Sequence, residues 1–156
     1  MSHQDLVLFG RVGLAFVLSY AIGFERALRG APAGDRTFAL VGTAAAAVSA
    51  VTVGSAPQAI GGVVTGVGFI GAGLVLRGDH GVLRGVTSAA AIFAATGVGV
   101  VAGTGHAWLA VFVAALTVLD LELRYTPVLN RLDAHRYADH MADDSDDDRP
   151  RDGAPG

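Results

Sequence analysis

Between Ala59 and Gly85 the chain reads AIGGVVTGVGFIGAGLVLRGDHGVLRG, an uncharged apolar run laced with glycine that ends in Arg77, Asp79, His80 and Arg84. An uncharged run of about 18 residues, rising about 1.5 Å per residue as a helix, can cross the ~30 Å hydrocarbon core of a bilayer. Its glycines are Gly62, Gly66, Gly68, Gly71 and Gly73. In water each would weaken a helix by roughly 1 kcal/mol relative to alanine. In a bilayer the same residues let a second helix backbone come close. The stretch therefore reads as a helix packed inside a membrane protein.

Four further apolar runs flank it, so that the set is Leu6–Phe24, Thr37–Val53, Ala59–Leu76, Val86–Ala102 and Ala107–Leu123. Each is 17 to 19 residues long, the lower end of what spans a bilayer. The second and fourth are alanine-rich and are expected to lie inside the bundle rather than against lipid. The first is too long for a signal-peptide core and has no basic leader, so it reads as a retained span.

Arginine alternates from one connection to the next. The first carries Arg26, Arg29 and Arg36, the second none, the third Arg77 and Arg84, the fourth none, and Arg124, Arg131 and Arg136 follow the last span. The positive-inside rule then places the N-terminus outside and the C-terminus in the cytoplasm, as five spans require. The expected fold is an all-α integral membrane bundle of five helices over residues 1–124. Residues 125–156 form a cytoplasmic acidic tail, which from about Asp139 reads DHMADDSDDDRPRDGAPG and should be largely disordered.

Charge and composition exclude several classes. The 11 basic residues, all arginine, are outnumbered by 14 acids, which argues against nucleic acid as a partner. With no cysteine, there is no disulfide or thiolate chemistry. The histidines are scattered, and no serine is visibly paired with a base, so no catalytic residues are assigned and the chain is read as a non-enzyme without cofactor. Gly66, Gly68 and Gly71 match a dinucleotide-binding GxGxxG pattern, but that fingerprint needs a preceding strand and an acid about 20 positions on. Here it sits within a membrane-length apolar run.

Two sets of residues remain as candidates. Gly62 with Gly66, and Gly99 with Gly103, have the spacing that stacks small residues on one helix face for close crossing, and Gly68, Gly71 and Gly73 extend the glycine surface. Ionisable residues in or near spans suggest function by default. They are Arg11 near the outer end of the first span, Glu25 and Arg26 at its cytoplasmic end, Asp120 and Glu122 near the end of the fifth, and Arg36, Arg77 and Arg84 at the same depth. Arg11 and Glu25 lie about 21 Å apart along one helix and cannot pair with each other. Each must find a partner on another helix or water, and for Arg11 snorkelling is the structural alternative; for the others a cytoplasmic charge network and a set of ion pairs that lock the loops both remain open. No ligand set for a metal is identified.

The stretches AIGFERALRGAPAGDRTFALVGTAAA, GVVTGVGFIGAGLVLRG and RGVTSAAAIFAATGVGVVAG, in this order and spacing, resemble the membrane domain of the MgtC/SapB family. The resemblance covers most of residues 6–124 and rests on Glu25-Arg26, Arg36-Thr37, the glycine-rich third span, and Arg84, Gly85 and Thr87 at the entry to the fourth. It implies a multi-pass protein of the bacterial inner membrane linked to magnesium homeostasis and stress adaptation. Regulation, including inhibition of the rotary ATP synthase, is attributed to some members. Two departures are visible: many members carry an ACT-like C-terminal domain, which about 30 residues after the last span cannot supply, and Phe93 stands where many relatives have tryptophan. The chain thus resembles a minimal, SapB-like member. The expected function is a regulator acting by helix–helix contact with a membrane partner. The alternative is a small oligomeric ion transporter or channel, with magnesium as the ion. A homodimer through the glycine faces is compatible with both.

Overall fold

The computed structural model describes residues 2–75 and 85–123. Over these the chain is all helix: α1 (His3–Leu28), α2 (Asp35–Thr52), α3 (Gln58–Val75), α4 (Val86–Gly103) and α5 (Ala107–Leu123). Each coincides with one of the five apolar runs. Three of them, α1, α3 and α4, are long and apolar enough to cross a membrane. In α2 the opening Asp35-Arg36 and the run of alanines lower the apolar content, and α5 is the shortest helix at 17 residues. The chain divides into two units, Met1–Leu119 and Asp120–Gly156, and of the second only Asp120–Leu123, the end of α5, is described.

The helix ends follow from local sequence. Ser2 caps α1 through a reciprocal box in which Asp5 N–H donates to Ser2 Oγ and Ser2 N–H donates to Asp5 Oδ2. At the other end Gly30 takes φ +65°, where a side chain would be strained. The N–H groups of Gly30 and Ala31 then turn back to the carbonyls of Ala27 and Arg26, the Schellman closure. The same closure ends α4, with Gly105 at φ +97° and the N–H groups of Gly105 and His106 donating to Ala102 and Val101.

Within the first unit α2 and α4 are the central helices, each packed against the other and against α1 and α3. Nine of its residues are buried, from Ser88 to Gly103, whereas α3 buries Val67 alone. The alanine-rich α2 and α4 are thus the inner helices. The core is built mainly of small side chains, with Ile22, Phe38, Ile92 and Val98 as the large fully buried ones. Small residues set the distance between helix axes, and the backbones come into direct contact.

That contact is localised. Gly99 lies against the Gly42 carbonyl and Ala45, and Gly103 lies against Ala46. The period of four on each helix makes one continuous α2–α4 seam. Gly42 also faces Ser19 of α1, and Gly23 of α1 faces the start of α2, where a Cβ would stand 2.7 Å from both Asp35 Cα and Phe38 Cβ. Three helices therefore meet through Gly23, Gly42, Gly99 and Gly103.

Candidate functional site

The polar residues near the ends of the first unit form two separate groups. One is the last turn of α1. Glu25 and Arg26 are both buried, at 6% exposure each, although they stand beside a chain turn. Glu25 Oε2 lies 3.3 Å from Arg26 Nε, and Oε1 lies 3.5 Å from Arg29 Nε. Two guanidinium groups therefore face one carboxylate. Neither Glu25 oxygen has a hydrogen bond among the described residues, and nor does Arg26 Nε. The cluster is held by Coulomb attraction in a place shielded from water, where such attraction is strong. The first turn of α2 lies alongside, with Arg36 exposed and Thr37 half-buried. The Tyr20 hydroxyl faces the Asp35 carboxylate, and Tyr20 is stacked between Phe16 and Phe24 at centroid distances of 6.0 and 6.3 Å.

The second group is at the other end of α1. Arg11 Nη1 donates to the carbonyl of Gly103 at 3.3 Å. The closing turn of α4 already occupies the carbonyls of Val101 and Ala102, and Arg11 takes that of Gly103. A cation at a helix C-terminus is also favoured by the helix dipole. Arg11 thus reaches another helix as well as the surface, which spacing along α1 could not reveal.

Of the remaining candidates, Thr87 is exposed in the first turn of α4. Asp120 is exposed and Glu122 half-buried at the end of α5. Arg77, Arg84, Arg124 and the acidic tail lie outside the described residues. The glycines divide sharply: Gly99 and Gly103 are consumed in the α2–α4 seam, and Gly71 lies beside Ala89 of α4. At Gly62, Gly66, Gly68 and Gly73 a Cβ would meet nothing within 4 Å. Gly62, Gly66 and Gly73 fall within about 40° of one another around α3 and form one open face, with Gly68 more than about 100° round the helix from them; Phe69 and Ile70 are exposed on the same helix. Among the described residues no group of three or more His, Cys, Asp or Glu is placed to hold a metal ion. The GxGxxG glycines lie inside α3, and the described residues contain no strand to precede them.

The sequence signal missed Ser19, and it marked Gly42 as a packing residue without naming its partner. Ser19 is fully buried, and its Oγ is without a hydrogen-bond partner among the described residues. The small residues at Gly42, Ala46 and Ala50 mark a packing face of α2, but nothing in the order of residues says which helix occupies it.

The family model of MgtC matches residues 12–127, which takes in the α1 charge cluster, the α2–α4 seam and α3. The chain belongs to the MgtC family. It is 40% identical over 128 residues to a Brucella abortus protein named "Protein MgtC", covering 76% of this chain and 52% of that protein. It is 38% identical over 126 residues to the Escherichia coli protein named "Putative magnesium transporter YhiD", covering 72% and 58%. A Bacillus subtilis relative named "Protein SapB" is 31% identical over 114 residues, covering 65% and 48%. This MgtC-family chain spans about half the length of the relatives it matches. No solved structure matches it. Membership and the apolar helices together make this a membrane protein.

Proposed function

We propose that the chain is a non-enzymatic regulator in the bacterial inner membrane that acts in magnesium homeostasis or stress adaptation by docking another membrane protein on α3. In this reading all five helices span, with the N-terminus outside, the C-terminus in the cytoplasm and an acidic tail after residue 124. The observation that carries it is the open glycine face of α3. Gly62, Gly66 and Gly73, together on one side of α3, meet nothing within 4 Å among the described residues, whereas Gly23, Gly42, Gly99 and Gly103 are filled by a neighbouring helix. Small residues in a membrane helix are useful where a backbone packs on them, so the occupant of this face is another chain. The family resemblance suggests the rotary ATP synthase as one such partner.

A Gly66→Leu variant should insert and fold normally, because its new side chain enters open space, yet lose partner capture by roughly tenfold, as expected when a close helix crossing is blocked. Cross-linking in native membranes reads this out. Undiminished capture in a correctly inserted variant would remove the reading.

A second reading is favoured by the name of the Escherichia coli relative, "Putative magnesium transporter YhiD". Here the main buried carboxylate near a span end, Glu25, is already faced by two guanidinium groups, which opposes its use as a cation ligand. The expected result is that vesicles containing the purified chain alone show no magnesium flux above empty vesicles. Saturable flux from a defined oligomer, reduced in a Glu25→Gln, Asp120→Asn double variant, would establish transport instead.

A further inference from the structure

We propose that the pocket formed by His3, Gln4, Val7, Leu8 and Arg11 at the start of α1 binds the phosphate of an anionic phospholipid headgroup. The inference rests on the chain spanning a membrane, and it concerns a different surface from the α3 face.

The geometry begins with one helix face. At about 100° per residue, His3, Gln4, Val7 and Leu8 all lie within roughly 80° of Arg11 around α1. They line an open surface depression of about 280 Å³. Asp5 is turned about 120° away, and its carboxylate is engaged with the Ser2 N–H at 2.8 Å. Arg11 therefore carries its charge without a carboxylate partner among the described residues, where the ion pairs of known geometry gather at Glu25. One of its N–H groups goes to the Gly103 carbonyl. The guanidinium lies over Gly105, where a Cβ would stand 2.8 Å from Nη2, so it is held in place at a turn. Its other donors meet no acceptor among the described residues.

A guanidinium fixed in this way suits a phosphate, whose oxygens match its fork of donors. His3 and Gln4 add polar groups at the outer rim. Val7 and Leu8 supply apolar wall, and Leu6, Val7 and Phe9 are exposed on the same stretch. A free inorganic anion has nothing to place against these side chains, whereas a phospholipid has its glycerol and acyl chains. Depth agrees as well. Arg11 starts about 12 Å along the helix from His3, and its long side chain can carry the charge outward to headgroup level. Trp108, three residues past Gly105, is 88% exposed, as suits an indole at the interface.

The test uses the full chain reconstituted in vesicles of phosphatidylglycerol and phosphatidylcholine, then extracted in mild detergent, with the retained lipid quantified. The wild type should retain phosphatidylglycerol over phosphatidylcholine. Arg11→Gln should lower that preference about fivefold, the equivalent of the ~1 kcal/mol typical of one basic residue at an anionic membrane surface. Because Arg11 also caps α4, Gln4→Glu serves as the second variant: it places a negative charge in the pocket without touching the Gly103 bond, and should lower retention at least as much. Equal retention of the two lipids by the wild type, or full retention by Gln4→Glu, overturns the proposal. Displacement of the retained lipid by inorganic phosphate also overturns it and assigns the pocket to a soluble anion. Alkaline extraction of native membranes separates the two levels of failure. A chain that washes off is not a spanning protein, whereas an inserted chain without lipid preference loses only this site.

Discussion

A Gly99→Leu variant is expected to lose its compact fold in detergent, while leucine at Gly62 or Gly68 leaves it intact. A Cβ at Gly99 runs into the Gly42 carbonyl and stands 2.9 Å from the Ala45 Cβ. The obstacle is largely backbone, which cannot rotate away as a side chain would. The cost should reach or exceed the top of the ~1–3 kcal/mol range for overpacking. At Gly62 and Gly68 the space is open, so changes there should stay within about 0.5 kcal/mol, as surface substitutions do. Thermal or denaturant unfolding followed by circular dichroism in one detergent compares all three. A companion pair tests the α1–α2 contact: Gly42→Ala forces a methyl against Ser19 Oγ and Cβ, and adding Ser19→Gly should restore much of the loss. Additive losses in that pair would place the two residues out of contact. A folded, thermally unchanged Gly99→Leu protein would contradict the seam itself.

Glu25→Ala is expected to destabilise the bundle by about 3–5 kcal/mol, the usual result of leaving one partner of a buried ion pair alone. Arg26 has 8% of its side chain exposed, so it cannot easily turn its charge to water. The loss should come from the orphaned guanidinium rather than from the missing contact. A double variant, Glu25→Leu with Arg26→Met, should therefore cost less than Glu25→Ala alone, since apolar groups of similar volume need no partner. Equilibrium unfolding of the two variants and the wild type decides it. Were the double variant the less stable, the pair would be contributing more than mutual neutralisation.

The fold was largely legible because each helix is marked by an apolar run bounded by charged or turn residues. Gly30 and Gly105 stand just past their helices, where a left-handed residue is needed to close the last turn. Assignment of α2 and α4 as inner helices could also be made from their alanine content. The candidate site was legible only in part. Glu25 and Arg26 stood out because ionisable residues at a span end are costly. Their shared burial depends on how the α1–α2 turn folds back, whereas the second guanidinium, from Arg29, follows from its i,i+4 spacing to Glu25. Arg11 was visible as a charge within a span, but its bond to Gly103 crosses 92 positions of sequence.

The glycines show most clearly where the two sources of information part. Sequence by itself determined that this chain is helical, apolar enough for a membrane, and supplied with small residues at intervals of four on several helices. Those properties are local: they follow from the composition of one turn and the next. Tertiary structure decided that Gly99 and Gly103 are filled by α2 while Gly62, Gly66, Gly68 and Gly73 remain open. Spacing on one helix states only that a backbone can approach. Which backbone does so is a property of two helices, set by the volumes of Gly42, Ala45 and Ala46 on the other side of the contact.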